Sequence, residues 1–92
     1  MDERIAPAGD PDRNLNHLRE SLLEHSPLAW EQIHAMPVEE ADIEGAARRY
    51  ARTLAQIAGT PPVLDLAHLG LGPDGHTASL VPNDPVLTHL LF

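Results

Sequence analysis

Apolar residues are spaced in two different ways along this 92-residue chain. From Asn14 to His25, Leu15, Leu18 and Leu22 recur on one stripe with Leu23 beside it, which predicts a helix stopped by Ser26-Pro27. Asn14 is its expected cap, because a side-chain oxygen there accepts from an open first-turn amide. A second stripe of Ile43, Ala47, Tyr50, Leu54 and Ile57 alternates four-residue and three-residue steps between a capping Asp42 and a terminating Gly59. It predicts a helix of about four turns with one apolar face. Arg48, Arg49 and Arg52 lie beside or outside that face and are expected in solvent.

The other spacing is continuous. After the stiff Thr60-Pro61-Pro62 linker, residues 63–71 (VLDLAHLGL) form a near-unbroken apolar run, the pattern of an interior parallel strand covered on both faces. It ends at Gly72-Pro73-Asp74-Gly75, and a short helix is expected through Thr77, Ala78, Ser79 and Leu80 until Pro82. Residues 1–13 read as a strand end followed by a Pro- and Gly-rich turn, and residues 32–36 as a short extended piece. Helix, linker and buried strand in this order imply an α/β fold with a Rossmann-like parallel sheet. A central strand needs two neighbours, so residues 1–92 are expected to be one partial domain, an internal piece of a larger protein. The apolar tail Leu90-Leu91-Phe92 adds to that expectation.

Composition narrows the chemistry. Fourteen Asp and Glu face six Arg and no Lys, a formal net charge of −8. That field disfavours nucleic acid, whose phosphates need basic partners, and it also repels a small anionic substrate. A phosphate site would have to be local, with Arg4 the first candidate. The chain has no cysteine, which excludes disulfides and thiolate chemistry and suits the cytoplasm. No apolar run approaches the roughly 18 residues of a membrane span. With no HExxH pattern, no metal site is expected. Uncovered apolar surface would favour self-association.

Chemistry concentrates in residues 70–80, GLGPDGHTASL. A Gly-rich turn leaving a strand is where ligands bind in open α/β sheets, and amides there can face an anion. An imidazole has the chemistry to take a proton from water, which makes His76 a candidate base, while Asp74 two residues earlier can fix its tautomer or carry a second proton-transfer role. The same two residues would also serve as a helix cap and its cover. The GxGxxG match in Gly70, Gly72 and Gly75 lacks the following βαβ unit of a nucleotide fingerprint. Ser79 stands outside any GxSxG elbow and is expected to supply a helix hydrogen bond. His68 is expected in the core, and Trp30 is expected to close a hydrophobic loop.

The run Leu69-Gly70-Leu71-Gly72-Pro73-Asp74-Gly75-His76-Thr77-Ala78-Ser79-Leu80 resembles the signature of the 6-phosphogluconolactonase family, within the wider glucosamine/galactosamine-6-phosphate isomerase-like group. Asp2-Glu3-Arg4 with Asn14, the His34-Ala35-Met36-Pro37 segment, and Ala46, Ala47, Tyr50, Ala51 and Leu54 fit the same pattern. Val81 and Asn83 depart from the family's Leu-Phe-Pro-Gly continuation. The resemblance implies hydrolysis of 6-phospho-D-glucono-1,5-lactone to 6-phosphogluconate in the pentose phosphate pathway, without metal or organic cofactor. It implies His76 as general base, Asp74 orienting it, Asp2 at the polar end of the pocket, Arg4 on the phosphate, and Gly72 and Gly75 in substrate binding. Glu3 is less attractive, since neighbouring side chains on an extended segment point apart. The alternatives are an amino-sugar-phosphate deaminase or isomerase, or an inactive sugar-phosphate-binding fragment.

Overall fold

The computed structural model describes residues 2–89. They group into two compact units, one of residues 3–64 and the other of Asp2 with the residues from Asp65 onward.

In the first unit, α1 spans Asn14–Ser21, and a 3₁₀ turn at Leu23–His25 follows a break at Leu22 (φ −134°, ψ −55°). The expected helix is therefore shorter and interrupted. Its cap also differs. Arg13 occupies the capping position without a side-chain bond to the helix amides, and Asn14 is already helical. The open amides are met from outside the helix: Glu3 accepts from the amides of Asn14 (2.7 Å) and Leu15 (3.1 Å), and from that of Arg4 (2.8 Å). A carboxylate at the positive end of a helix also gains from the helix dipole.

Arg13 is 4% exposed, the most deeply set charge among the described residues. Its Nε lies 3.0 Å from Glu3, and its Nη1 reaches Glu39 at 2.8 Å and the Ala6 carbonyl at 3.0 Å. Burial alone would raise the Glu3 pKa; three backbone amides and the Arg13 guanidinium outweigh it and hold the carboxyl below its ordinary value. Hydrogen bonds to Glu39 and Glu3 raise Arg13 in turn. Glu3 thus serves the fold: it anchors the start of the chain to the start of α1.

The α2 helix spans Ile43–Ala58 as its stripe predicts. Asp42 caps it by accepting from the Gly45 amide at 3.0 Å, and a side chain on Gly45 would overlap the Asp42 carboxylate. Gly59 ends it at φ 92°, a left-handed conformation that glycine adopts without a Cβ clash. Arg48, Arg49 and Arg52 are exposed, with Arg49 paired to Glu40. The Tyr50 hydroxyl donates to the His34 carbonyl at 2.9 Å, tying α2 to the piece expected to be extended at residues 32–36; there Gln32 ends a 3₁₀ turn (Trp30–Gln32) and residues 33–36 have no strand pairing among the described residues. The Thr60-Pro61 bond is cis.

Three expectations about burial are corrected. Residues 63–71 form no strand ladder among the described residues, and Val63, Leu66 and Leu71 are 76%, 85% and 83% exposed. A strand exists only through hydrogen bonds to neighbours, and the run has the side chains for a sheet interior with no neighbours to pair with. His68, expected in the core, is exposed with it. Buried residues are limited to Arg13, Gly45 and Ala46 among those described, so the apolar face of α2 is largely uncovered: Ile57 is 61% exposed. Trp30 closes no loop; it is exposed, with the Arg19 guanidinium 5.4 Å from its ring centre. Met1 and the apolar tail Leu90-Leu91-Phe92 lie outside the described residues.

Candidate functional site

The second unit holds the turn at residues 70–80. Its backbone closes on itself: the Gly72 amide donates to the His76 carbonyl at 2.8 Å and the Gly75 amide to the Gly72 carbonyl at 3.0 Å. Both amides are thus engaged inside the turn. Gly75 sits at φ 88°, where a side chain would be strained.

The turn brings Asp74 and His76 together. One carboxylate oxygen, Oδ1, accepts from the His76 amide at 3.1 Å and lies 2.5 Å from His76 Nδ1. The imidazole hydrogen bond, followed by the backbone one, holds Asp74 below its ordinary pKa. An ionised carboxylate only accepts, so Nδ1 is the donor in this contact. The ring is partly exposed, its side chain at 32%.

Beyond His76 the expected short helix is absent. Thr77 and Leu80 instead exchange backbone hydrogen bonds, Leu80 amide to Thr77 carbonyl at 2.9 Å and the reverse at 3.4 Å, around Ala78 at φ 49°. This is a two-residue hairpin turn. Val81 precedes a proline, which disfavours helical backbone there, and Pro82 has no amide to extend a helix. The side chains flanking the hairpin are used: Thr77 Oγ1 donates to the Gly70 carbonyl at 2.9 Å, and Ser79 Oγ donates to Asp2 Oδ2 at 2.9 Å. Ser79 therefore bonds Asp2 and not a helix. Sequence reasoning missed this link because the two residues are 77 positions apart, with no local signal joining them.

The departure at Asn83 is conservative in shape. Asn83 has φ 68° after Pro82, and the Asp84 amide donates to the Val81 carbonyl at 3.1 Å. Proline followed by a left-handed residue is the type II turn pattern, in which asparagine replaces glycine readily. Arg4, the candidate phosphate ligand, belongs to the unit of residues 3–64; it is exposed and has no ion-pair partner among the described residues. Those residues include no group of three His, Asp or Glu side chains placed to hold a metal ion, and no helix long and apolar enough to cross a membrane.

Comparison with known proteins matches residues 1–90 to the family described as glucosamine-6-phosphate isomerases/6-phosphogluconolactonase. A 6-phosphogluconolactonase of Streptomyces coelicolor is 42% identical over 91% of this chain and 36% of its own length. One from Synechocystis is 43% identical over 95% of this chain and 38% of its own. The human GDH/6PGL endoplasmic bifunctional protein is 39% identical over 92% of this chain and 11% of its own. No solved structure matches. The chain spans a little over a third of the two bacterial lactonases. With a match that runs through both units and includes the Asp74–His76 turn, the chain belongs to the glucosamine-6-phosphate isomerase/6-phosphogluconolactonase family.

Proposed function

We propose that this chain carries the catalytic turn of an enzyme that hydrolyses 6-phospho-D-glucono-1,5-lactone to 6-phosphogluconate, with His76 as general base. The observation that carries the reading is the Asp74–His76 pair, in which the carboxylate meets Nδ1 and leaves Nε2 available. Nε2 takes a proton from water as the water oxygen attacks the lactone carbonyl carbon. The carbonyl oxygen becomes an anion. When that tetrahedral intermediate collapses, the bond to the ring oxygen breaks, and the leaving oxygen takes the proton back from Nε2. Asp74 stays ionised and stabilises the imidazolium between the two transfers. No metal or organic cofactor takes part.

Asp2 adds a carboxylate that Ser79 holds by hydrogen bond. Arg4 binds the substrate phosphate, since a guanidinium fork matches its oxygens. Gly72 and Gly75 shape the turn against which the substrate rests. In the full-length enzyme, residues 63–71 become an interior strand of a Rossmann-like parallel sheet. Their exposed apolar side chains, and the backbone amides of residues 64–71 that donate to no described residue, suit that place. A chain without cysteine fits a reducing compartment such as the cytoplasm.

The test is His76→Ala in a full-length enzyme carrying this segment. Lactone hydrolysis, with the spontaneous rate subtracted, should fall by roughly 10²- to 10⁴-fold while the fold is kept. Turnover within a few-fold of the parent would sink the assignment. Offering the parent glucosamine 6-phosphate tells the branches of the family apart: release of ammonia in place of lactone turnover would make it a deaminase.

A further inference from the structure

The three glycines of the turn stand there for different reasons. A Cβ built on Gly75 meets nothing within 4 Å, but its φ of 88° demands glycine. Gly70 has neither a left-handed φ nor any atom within 4 Å of its Cβ position. Gly72 has no left-handed φ either, yet a Cβ there would overlap Cε1 and Nδ1 of the His76 ring and lie 2.9 Å from its Nε2. The imidazole occupies the volume that any other residue at position 72 would fill. Its Nδ1 is at the same time bonded to Asp74. The ring is therefore held from two directions, by a carboxylate at one edge and by the bare backbone of Gly72 beneath it.

We propose that Gly72 is a positioning residue for His76, its missing side chain forming the seat that keeps Nδ1 on Asp74. Any side chain at 72 pushes the ring off that seat, because the nearby Gly72 amide to His76 carbonyl bond of 2.8 Å prevents the backbone from backing away. The catalytic consequence rests on the reading of His76 as general base; the seat itself does not. This role differs from contact with substrate.

Gly72→Ala and Gly70→Ala in the full-length enzyme separate the effects, since both add one methyl to the same turn. In Gly70→Ala, ring nitrogen-15 spectra should keep the His76 proton on Nδ1, Asp74 should still titrate below the ordinary carboxylate range, and turnover should stay within a few-fold of the parent. In Gly72→Ala the ring should populate both tautomers and Asp74 should return toward its ordinary range. Its kcat should fall on the order of 10²-fold, the cost of displacing a reacting group by about an ångström, with KM changed only a few-fold. Parent-like ring and carboxyl spectra in Gly72→Ala would overturn the proposal. A displaced ring with undiminished turnover would support the seat and refute His76 as the base. If Gly72→Ala folds poorly, melting temperatures of the two single variants and of Gly72→Ala/His76→Ala decide. With the ring removed, the extra methyl at position 72 should cost almost nothing, and additive losses across that cycle would overturn the seat.

Discussion

Residues 3–58 and residues 63–71 are both rich in apolar side chains, yet the first stretch is tied down along its length by polar groups and the second only near its ends, at Val63 and Gly70. At the start of α1 a carboxylate meets the open amides, and at the start of α2 another does the same. Arg13 joins Glu3, Glu39 and the Ala6 carbonyl into one knot. From residue 64 to residue 71 no backbone amide donates to another described residue, and the apolar side chains lie in solvent. The lesson concerns range. A helix finishes its hydrogen bonding within its own segment and a few capping groups, so it stands with little help. A strand has no such option, and its apolar residues gain nothing until other strands arrive.

The contrast breaks or holds first on a pair of substitutions in the 92-residue chain. Arg13→Leu leaves the Glu3 and Glu39 carboxylates without their shared cation, and Glu3 has only 6% of its side chain exposed. An unpaired buried charge is among the costliest defects a fold can carry. Helical circular dichroism should drop, and the cooperative part of the thermal melt should be lost. Leu66→Ser, at a side chain 85% exposed, should leave both unchanged. Equal damage from the two variants would show that residues 63–71 are packed after all.

Asp42→Ala sharpens the same comparison at a single cap. Losing the bond to the Gly45 amide should cost about 1 kcal/mol in urea unfolding, with α2 fraying from Ile43. A loss of only a few tenths would mean that α2 draws its order from elsewhere.

The smallest expected effect is that of mild acid on Glu3. Its carboxyl is held below its ordinary value, so its contribution is complete above the unfolded glutamate pKa and is lost as pH falls from there through the lower folded value. Glu3→Gln should flatten stability against pH within that window and leave the neutral range comparatively flat. An unchanged slope would remove Glu3 from the account. Asp74, also depressed, contributes with the same sign, and His76→Ala removes the imidazole's part of that depression while the backbone amide's part stays.

What the sequence discloses follows the same division by range. Asp42, Gly59 and the α2 stripe are legible because every partner lies within a few residues. The Asp74–His76 pair is legible for the same reason, two positions apart. The cap of α1 is misread from local sequence as Asn14, because the true acceptor, Glu3, lies 11 positions before it and reaches the helix only through the fold. Glu3 itself looks like no more than the middle of a charged triplet. Its neighbour Asp2 stands out by resemblance, but nothing local points to the Ser79 hydroxyl that holds it. The apolar run at 63–71 has the spacing of a buried strand, and that spacing carries no information on what would bury it. The hairpin at Thr77–Leu80 takes the place of a helix because two residues between paired strand positions close a turn that four helical residues before Pro82 cannot.

Trp30, lying beneath the Arg19 guanidinium, has a practical consequence for optical work. It is the chain's single tryptophan, and the single tyrosine, Tyr50, falls in the same unit of residues 3–64. Tryptophan and tyrosine emission from this protein therefore originates wholly in the unit of residues 3–64. The turn bearing His76 is dark. A fluorescence melt thus reads emitters that all belong to one unit, and residues 70–80 contribute none of their own.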